Sequence, residues 1–132
     1  MKEVVDTRFL MEHFYSDQPE IRRKTSQRIR ELAQRGEGII PTIVIGEVVR
    51  ITCTKRGAEE ANLRYLSLLA SNLEIRDITA DIAKEAGLLK CRYPSFPMGD
   101  CIIVSVAKME GARVLSDDTH FDDIKEIKRV WI

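Results

Sequence analysis

Long apolar runs are missing from this sequence: none approaches the ~20 residues that a membrane span requires. The opening MKEVVD passes from charge into a strand-like run without the apolar stretch of a signal peptide. A cytoplasmic protein with no membrane partner is expected. Cysteine is scarce as well. Cys53, Cys91 and Cys101 are three in number and show no C-x-x-C spacing, which indicates neither a disulfide framework nor a zinc knuckle. They read as buried or half-buried thiols. Aromatic residues make up 6% of the chain, too few to argue base stacking from composition. Amides are few, with Asn62, Asn72, Gln18, Gln27 and Gln34 in a chain that is 32% charged, a balance that leans towards a thermophilic source. Net charge is absent too: 21 basic residues meet 21 acidic ones, which at first argues against a polyanionic partner.

What is present is an ordinary globular composition, 44% hydrophobic over 132 residues, enough to bury a core without disulfide or metal staples. No repeat, linker or low-complexity tract divides residues 1–132, so a single domain is expected. Short apolar segments read as strands over Lys2–Asp6, Gly38–Pro41, Leu73–Ile78, Ala112–Ser116 and Lys128–Ile132. Between them, helical spacing marks Arg8–Tyr15, Glu20–Gln34, Ile43–Lys55, Ala58–Ala70, Ala80–Tyr93 and Gly99–Met109, with a short helical turn over Thr119–Ile124. Thr42 is placed to cap the third of these helices. Strands alternating with helices predict the α/β class, a sandwich around a mainly parallel sheet.

Ligands of such sheets bind where strands run out into helices, and acids gather there. Asp6 ends the first strand and Asp118 lies just past the fourth. Glu47 falls within the apolar stripe Ile43, Val44, Val48 and Ile51, and Asp100 shares a face with Ile103, Val104 and Ala107. A carboxylate on an inward face is costly unless paired or bound to a metal. Taken singly, each acid has an ordinary explanation: Asp6 or Asp118 as a turn cap, Asp100 as a complement to a helix dipole, Glu47 as the partner of an arginine. Four acids meeting at one edge are different. Unit charges about 4 Å apart repel by roughly 4 kcal/mol at an effective dielectric near 20, so the site must take up protons or a cation. An all-oxygen donor set suits a hard divalent ion such as Mg²⁺ or Mn²⁺. With four of the 21 acids so engaged, 17 would face 21 bases, and neutrality no longer excludes a nucleic acid.

Four segments in order, VVDT, IPTIVIGEV, PMGDCIIVSVA and VLSDDTHF, resemble the PIN-domain ribonucleases, and among them the toxin subunits of VapBC-type toxin–antitoxin pairs. The resemblance spans nearly the whole chain. It implies a three-layer α/β/α sandwich, a homodimer, and Mg²⁺- or Mn²⁺-dependent cleavage of RNA phosphodiesters to 5′-phosphate and 3′-hydroxyl ends. Asp6, Glu47 and Asp100 match the family's three best-marked acids. Ser116, Asp118 and Phe121 match its last segment, making Asp118 the fourth acid and Asp117 a spacer and nearest rival. All four acids are expected to be catalytic metal ligands. Where many relatives carry a further acid before that phenylalanine, this chain has His120, which leaves a second metal position open. Thr7 and Ser116 match hydroxyl positions that orient water or the acids, or are ordinary turn hydroxyls.

Substrate contacts are less marked. Arg8, beside Asp6, is a candidate cation for the substrate, while Arg22, Arg23, Lys24, Arg28 and Arg30 read first as a solvated helix face. His13 and His120 are too isolated to be read as ligands. The helices Arg8–Tyr15 and Ala58–Ala70 offer a dimer surface, with core packing as the equal alternative. An antitoxin is expected to cover the site. Competing readings are a stand-alone PIN nuclease in RNA processing, a non-catalytic module using the acids to bind a metal or partner, and a phosphatase. The Asp-x-Asp opening of that last chemistry is absent, because Thr7-Arg8 follows Asp6.

Overall fold

A computed structural model describes residues 1–132. Five strands, β1 (Glu3–Val5), β2 (Gly38–Pro41), β3 (Glu74–Arg76), β4 (Arg113–Leu115) and β5 (Arg129–Val130), form one sheet in the order β3-β2-β1-β4-β5. Every neighbouring pair is parallel, so the mainly parallel sheet expected is wholly parallel. The helices are α1 (Thr7–Tyr15), α2 (Pro19–Arg35), α3 (Thr42–Arg56), α4 (Ala58–Leu69), α5 (Ala80–Arg92) and α6 (Met98–Glu110). Thr119–Asp123 forms a single 3₁₀ turn.

The strand order fixes the layers. From β1 to β2 to β3 the chain steps one way across the sheet; it then returns past β1 to β4 and continues to β5. Parallel crossovers are right-handed almost without exception. The first two therefore lay α1–α4 on one face, and the return carries α5 and α6 across the other. That is the three-layer arrangement, and the direction reverses between β1 and β4, where doubly wound sheets open a crevice at the carboxyl ends of their strands.

The core is continuous. Val4, Val5, Ile39, Ile40, Val114 and Leu115 from the sheet, Phe9 and Leu10 from α1, Ile103 and Val106 from α6, and Phe121 are each at most 1% exposed. Burying side chains of this kind contributes roughly 1.5–3 kcal/mol apiece. Gly38 is required by the close approach of α2 and the chain before β3, because a Cβ there would meet Leu73 Cδ2 at 2.6 Å and Leu32 Cβ at 3.0 Å. At the amino end of the sheet the fold buries a charge. Glu3 is 2% exposed and stands in register with Arg113. Its oxygens accept bonds from Arg113 Nη2 at 2.6 Å and from Arg28 Nη1 at 2.8 Å.

Several local expectations need correction. Thr42 is the first residue of α3; Pro41 holds the cap position and no side chain caps the helix. The strands are shorter than their apolar segments, since Leu73 and Ile78 lie outside β3 and Ala112 and Ser116 outside β4. Cys53 and Cys91 are exposed and only Cys101 is buried. Arg22, Arg23, Lys24 and Arg30 do form a solvated face, but Arg28 turns inward to Glu3. No helix is long and apolar enough to cross a membrane.

Candidate active site

Register brings the first two site residues together. Val5 pairs with Leu115 across β1 and β4, so the next residues along, Asp6 and Ser116, emerge side by side at the reversal point. Ser116 Oγ donates to Asp6 Oδ2 at 2.7 Å and accepts the Asp118 N–H at 3.0 Å. One fully buried hydroxyl thereby ties the end of β1 to the turn after β4. Asp6, 4% exposed, also stands at the start of α1. Burial raises its carboxyl pKa, opposed by the Ser116 hydroxyl and the N–H groups of Thr7 and Arg8, with Glu47 adding a further upward push.

Glu47 enters from α3. Thr7 Oγ1 donates to its Oε1 at 2.7 Å, which gives Thr7 a defined task. Glu47 is half-buried beside the fully buried Val44 and Val48, and Thr52, not Ile51, continues the inward stripe. Across from it α6 comes close because residue 99 is glycine. A Cβ at Gly99 would lie 3.2 Å from Glu47 Oε2. That close approach went unrecognised in the sequence, although a glycine directly before Asp100 was its visible sign.

Asp100, in the first turn of α6, is half-buried above Ile103, Val104 and Ala107, as its helical spacing predicts. Its pKa is pushed up to about 6, first by burial and then by the charges of Asp6, Glu47 and Asp118; His120 alone pulls the other way. Asp118 caps the 3₁₀ turn. Against the effect of burial, the N–H and ring of His120 hold its carboxyl below the usual aspartate range. His120 is thus not isolated: its N–H lies 3.0 Å and its Nδ1 2.8 Å from Asp118 Oδ1. The spacing D-x-H, two residues apart across a tight turn, was the signal for it. His13, by contrast, packs inward, with Nδ1 3.2 Å from Thr25 Oγ1.

Arg8 and Asp117 account for each other. Arg8 Nε donates to Asp117 Oδ1 at 2.6 Å and Nη2 to Oδ2 at 3.3 Å. Arg8 therefore does not neutralise Asp6 directly, and Asp117 is drawn away from the other acids.

No lysine or arginine forms an ion pair with Asp6, Glu47, Asp100 or Asp118; the one basic contact is His120 with Asp118. An arginine partner for Glu47 is thereby ruled out. Hydroxyls and backbone N–H groups orient these carboxylates without cancelling their charge, so the donor set fits a hard divalent cation. The acids do not close around a common point, for no three Asp, Glu, His or Cys side chains are grouped to hold a metal. Asp100, Asp118 and His120 line a cleft of about 390 Å³ with Ser95, Phe96, Pro97 and Asp123. Asp6 and Glu47 do not line it, though both are near enough to raise the Asp100 carboxyl.

Comparison with known proteins bears on this arrangement. Among curated proteins, none matches the sequence. Solved structures do. VapBC2 from Rickettsia felis, bound to a DNA fragment from its promoter, is similar with a TM-score of 0.79 at 19% identity, over 100% of this chain and 99% of that one. DNA-bound VapBC from Salmonella typhimurium is similar at 0.77 and 19% identity, over 99% and 98%. VapC20 from Mycobacterium tuberculosis, a toxin that cleaves the sarcin–ricin loop, is similar at 0.73 and 18% identity, over 92% and 94%. At such identities the likeness establishes the fold. The sequence itself matches the PIN domain over residues 4–127, and the chain belongs to the PIN-domain family.

Proposed function

We propose that this protein is a Mg²⁺- or Mn²⁺-dependent endoribonuclease and the toxin of a toxin–antitoxin pair. One observation carries the metal reading above all: Asp6, Glu47 and Asp100 lie near one another at the sheet reversal without a basic partner, and burial, together with the neighbouring acids, pushes Asp100 up to about 6. PIN-domain membership and the structural similarity to VapBC toxins support the nuclease and toxin parts.

In this reading Asp6, Glu47, Asp100 and Asp118 hold the cation. When bound, the cation would supply charge neutralisation at a phosphate and a more acidic water. Ser116 fixes the Asp6 carboxylate and Thr7 fixes Glu47, so neither has to be ordered when substrate arrives. Water adds to phosphorus, the bond from phosphorus to the 3′-oxygen breaks, and the ends left are a 5′-phosphate and a 3′-hydroxyl. The cleft beside Asp100 and Asp118 is the place for the scissile phosphate. Arg8, exposed at the rim though paired with Asp117, is the cation best placed to meet a neighbouring one. Protein partners belong to the same proposal, a second copy and an antitoxin. Exposed Leu63, Tyr65, Leu66 and Leu69 give α4 an apolar surface suited to such contacts.

The test is cleavage of an RNA panel with Mg²⁺, with Mn²⁺ and in EDTA, using the wild type and Asp100→Asn. Cleavage that needs the cation and disappears in the variant is expected. Equal cleavage in EDTA, or by the variant, would refute the reading, and turnover of a phosphomonoester in place of RNA would redirect it to a phosphatase.

A further inference from the structure

We propose that the groove between α1 and α3 is a subsite for the RNA backbone, in which Lys55 and Arg56 meet a phosphate a short way along the strand from the bond that is cut. The inference rests on the nuclease reading above and names where the substrate continues beyond the acids. The two helices follow neighbouring parallel strands, β1 and β2, and pack side by side. Thr7, Met11 and Tyr15 recur at four-residue intervals on α1, as do Glu47, Ile51 and Lys55 on α3, so each set shares one helix face. At one end of the seam between them is the Thr7–Glu47 hydrogen bond of the candidate site. At the other, the Arg56 guanidinium lies over the Tyr15 ring, 4.0 Å from its centroid. Thr7 and Tyr15 are eight residues apart, about 12 Å along a helix.

At that far end lies a cavity of about 260 Å³, lined by Met11, Glu12, Tyr15, Thr52, Lys55 and Arg56. Its lining carries two cations against one acid, a balance that favours an anion. Lys55 is exposed and forms no ion pair, and Arg56 meets Glu60 at 3.5 Å. Stacking on Tyr15 holds the guanidinium in place before a ligand arrives, which spares the cost of ordering a long side chain. Thr52 is 0% exposed, and its Oγ1 has no hydrogen-bond partner in the chain. Buried polar groups are nearly always paired, so a hydroxyl left over at the wall of a cavity is available to a ligand oxygen. Basic residues in the last turn of a helix complement its dipole, and Lys55 and Arg56 end α3. That accounts for their charge, but not for the cavity or for the unpartnered Thr52 hydroxyl. A strand laid across Asp6 and Glu47 finds its continuation in this seam, where its backbone passes from the acids to two cations.

The experiment measures binding of single-stranded RNA by fluorescence anisotropy over a range of salt, in the Asp100→Asn variant with EDTA, beside cleavage kinetics with Asp100 intact. Lys55→Ala and Arg56→Ala should each weaken binding and raise KM about two- to fivefold, the size of an exposed charge contact, with the effect in KM and not in kcat. Each should lower the slope of log affinity against log salt by about 0.7, the value for one phosphate of a single strand. Thr52→Val should weaken binding without lowering the melting temperature. Arg30→Ala, on the solvated face of α2, should change nothing. Shortening the RNA on one side of the scissile bond should erase the effects of Lys55→Ala and Arg56→Ala, and shortening it on the other side should not. An unchanged salt slope and KM overturn the proposal and leave this face to a protein partner; an effect that survives shortening on both sides overturns it as well. RNA that binds with the Lys55 and Arg56 dependence but is not cut leaves the subsite standing and overturns the nuclease reading. Melting temperatures equal to that of wild type serve as the folding control, and Arg56→Lys, which keeps the charge, should bind RNA more tightly than Arg56→Ala.

Discussion

Replacing Asp100 with asparagine should make the metal-free protein more stable while abolishing its activity, and the size of the effect follows from the burial of its carboxylate and then from the acids around it. Folding raises the Asp100 pKa from its ordinary value of 3.8 to about 6. An acid whose folded value lies above its unfolded value binds its proton more tightly in the folded state. Its ionisation therefore costs stability, not at all below pH 4, increasingly between pH 4 and 6, and fully above 6. At about 1.4 kcal/mol per pH unit, the full shift would correspond to about 3 kcal/mol. Asp100 is only half-buried, and screening by water reduces this to roughly 1–1.5 kcal/mol. Asparagine is nearly isosteric and carries no charge, and no hydrogen bond to the Asp100 carboxyl is lost with it. In EDTA at pH 7.5 the variant should melt about 3–6 °C above wild type, and at pH 4 the two should coincide. Saturating Mn²⁺ should reverse the order: at a hundredfold excess over the dissociation constant it adds about 2.7 kcal/mol to the wild type and little to the variant. Thermal melts across pH 4–8, with and without cation, measure all of this. A variant less stable than wild type at pH 7.5, or a difference that does not change with pH, would show that the Asp100 carboxylate is not destabilised by its burial and its acidic neighbours.

At the opposite end of the sheet, removing both arginines, Arg28→Ala with Arg113→Ala, should destabilise by about 3–5 kcal/mol because Glu3 is left buried and unpaired. Glu3→Gln should cost less, since both guanidiniums keep a route to water, with exposures of 23% and 36%; urea unfolding that reverses this order would show that the buried Glu3 charge does not depend on the two arginines. Gly99→Ala should lower cation affinity by displacing Glu47, yet leave stability unchanged or raised by up to ~1 kcal/mol through helix propensity, which titration calorimetry and melts on one sample separate. Asp117→Asn should retain most cleavage, having lost only its pairing with Arg8, whereas Asp118→Asn should lose it. Equal RNA cleavage by the two would show that the wrong aspartate was chosen.

How much was legible in the sequence varied with the kind of force at work. Gly38–Pro41 was bounded correctly because glycine and proline punctuate the chain locally, whereas the strand read as Leu73–Ile78 shrank to Glu74–Arg76. Apolar character marks what is buried, and Leu73 is buried, but pairing depends on a neighbouring strand that local sequence does not contain. The same distinction separates the acids from their partners. Inward spacing on a helix made Asp100 conspicuous, and the half-buried position of Glu47 followed from its neighbours Val44 and Val48. Arg8 was placed beside Asp6 by adjacency, yet one step along a helix rotates a side chain by about 100°, and it meets Asp117 instead. The bonds Thr7–Glu47, Ser116–Asp6 and Glu3–Arg28 join residues 25 to 110 positions apart. No periodicity reports such contacts.

The register that sets Asp6 beside Ser116 also governs the order in which the candidate site is assembled during synthesis. A chain growing from its amino end completes β1, β2 and the Thr7–Glu47 pair early, but Asp6 has no hydroxyl partner until residue 116 emerges, 110 positions later. The strand that delivers Ser116 enters the sheet next to β1, at its centre, and not at an edge. Every shorter nascent chain therefore exposes the flank of its middle strand and holds at most three of the four acids. For the proposed nuclease, a nascent chain short of residue 116 is therefore an unfinished site, and the four acids come together only once β4 has joined the sheet.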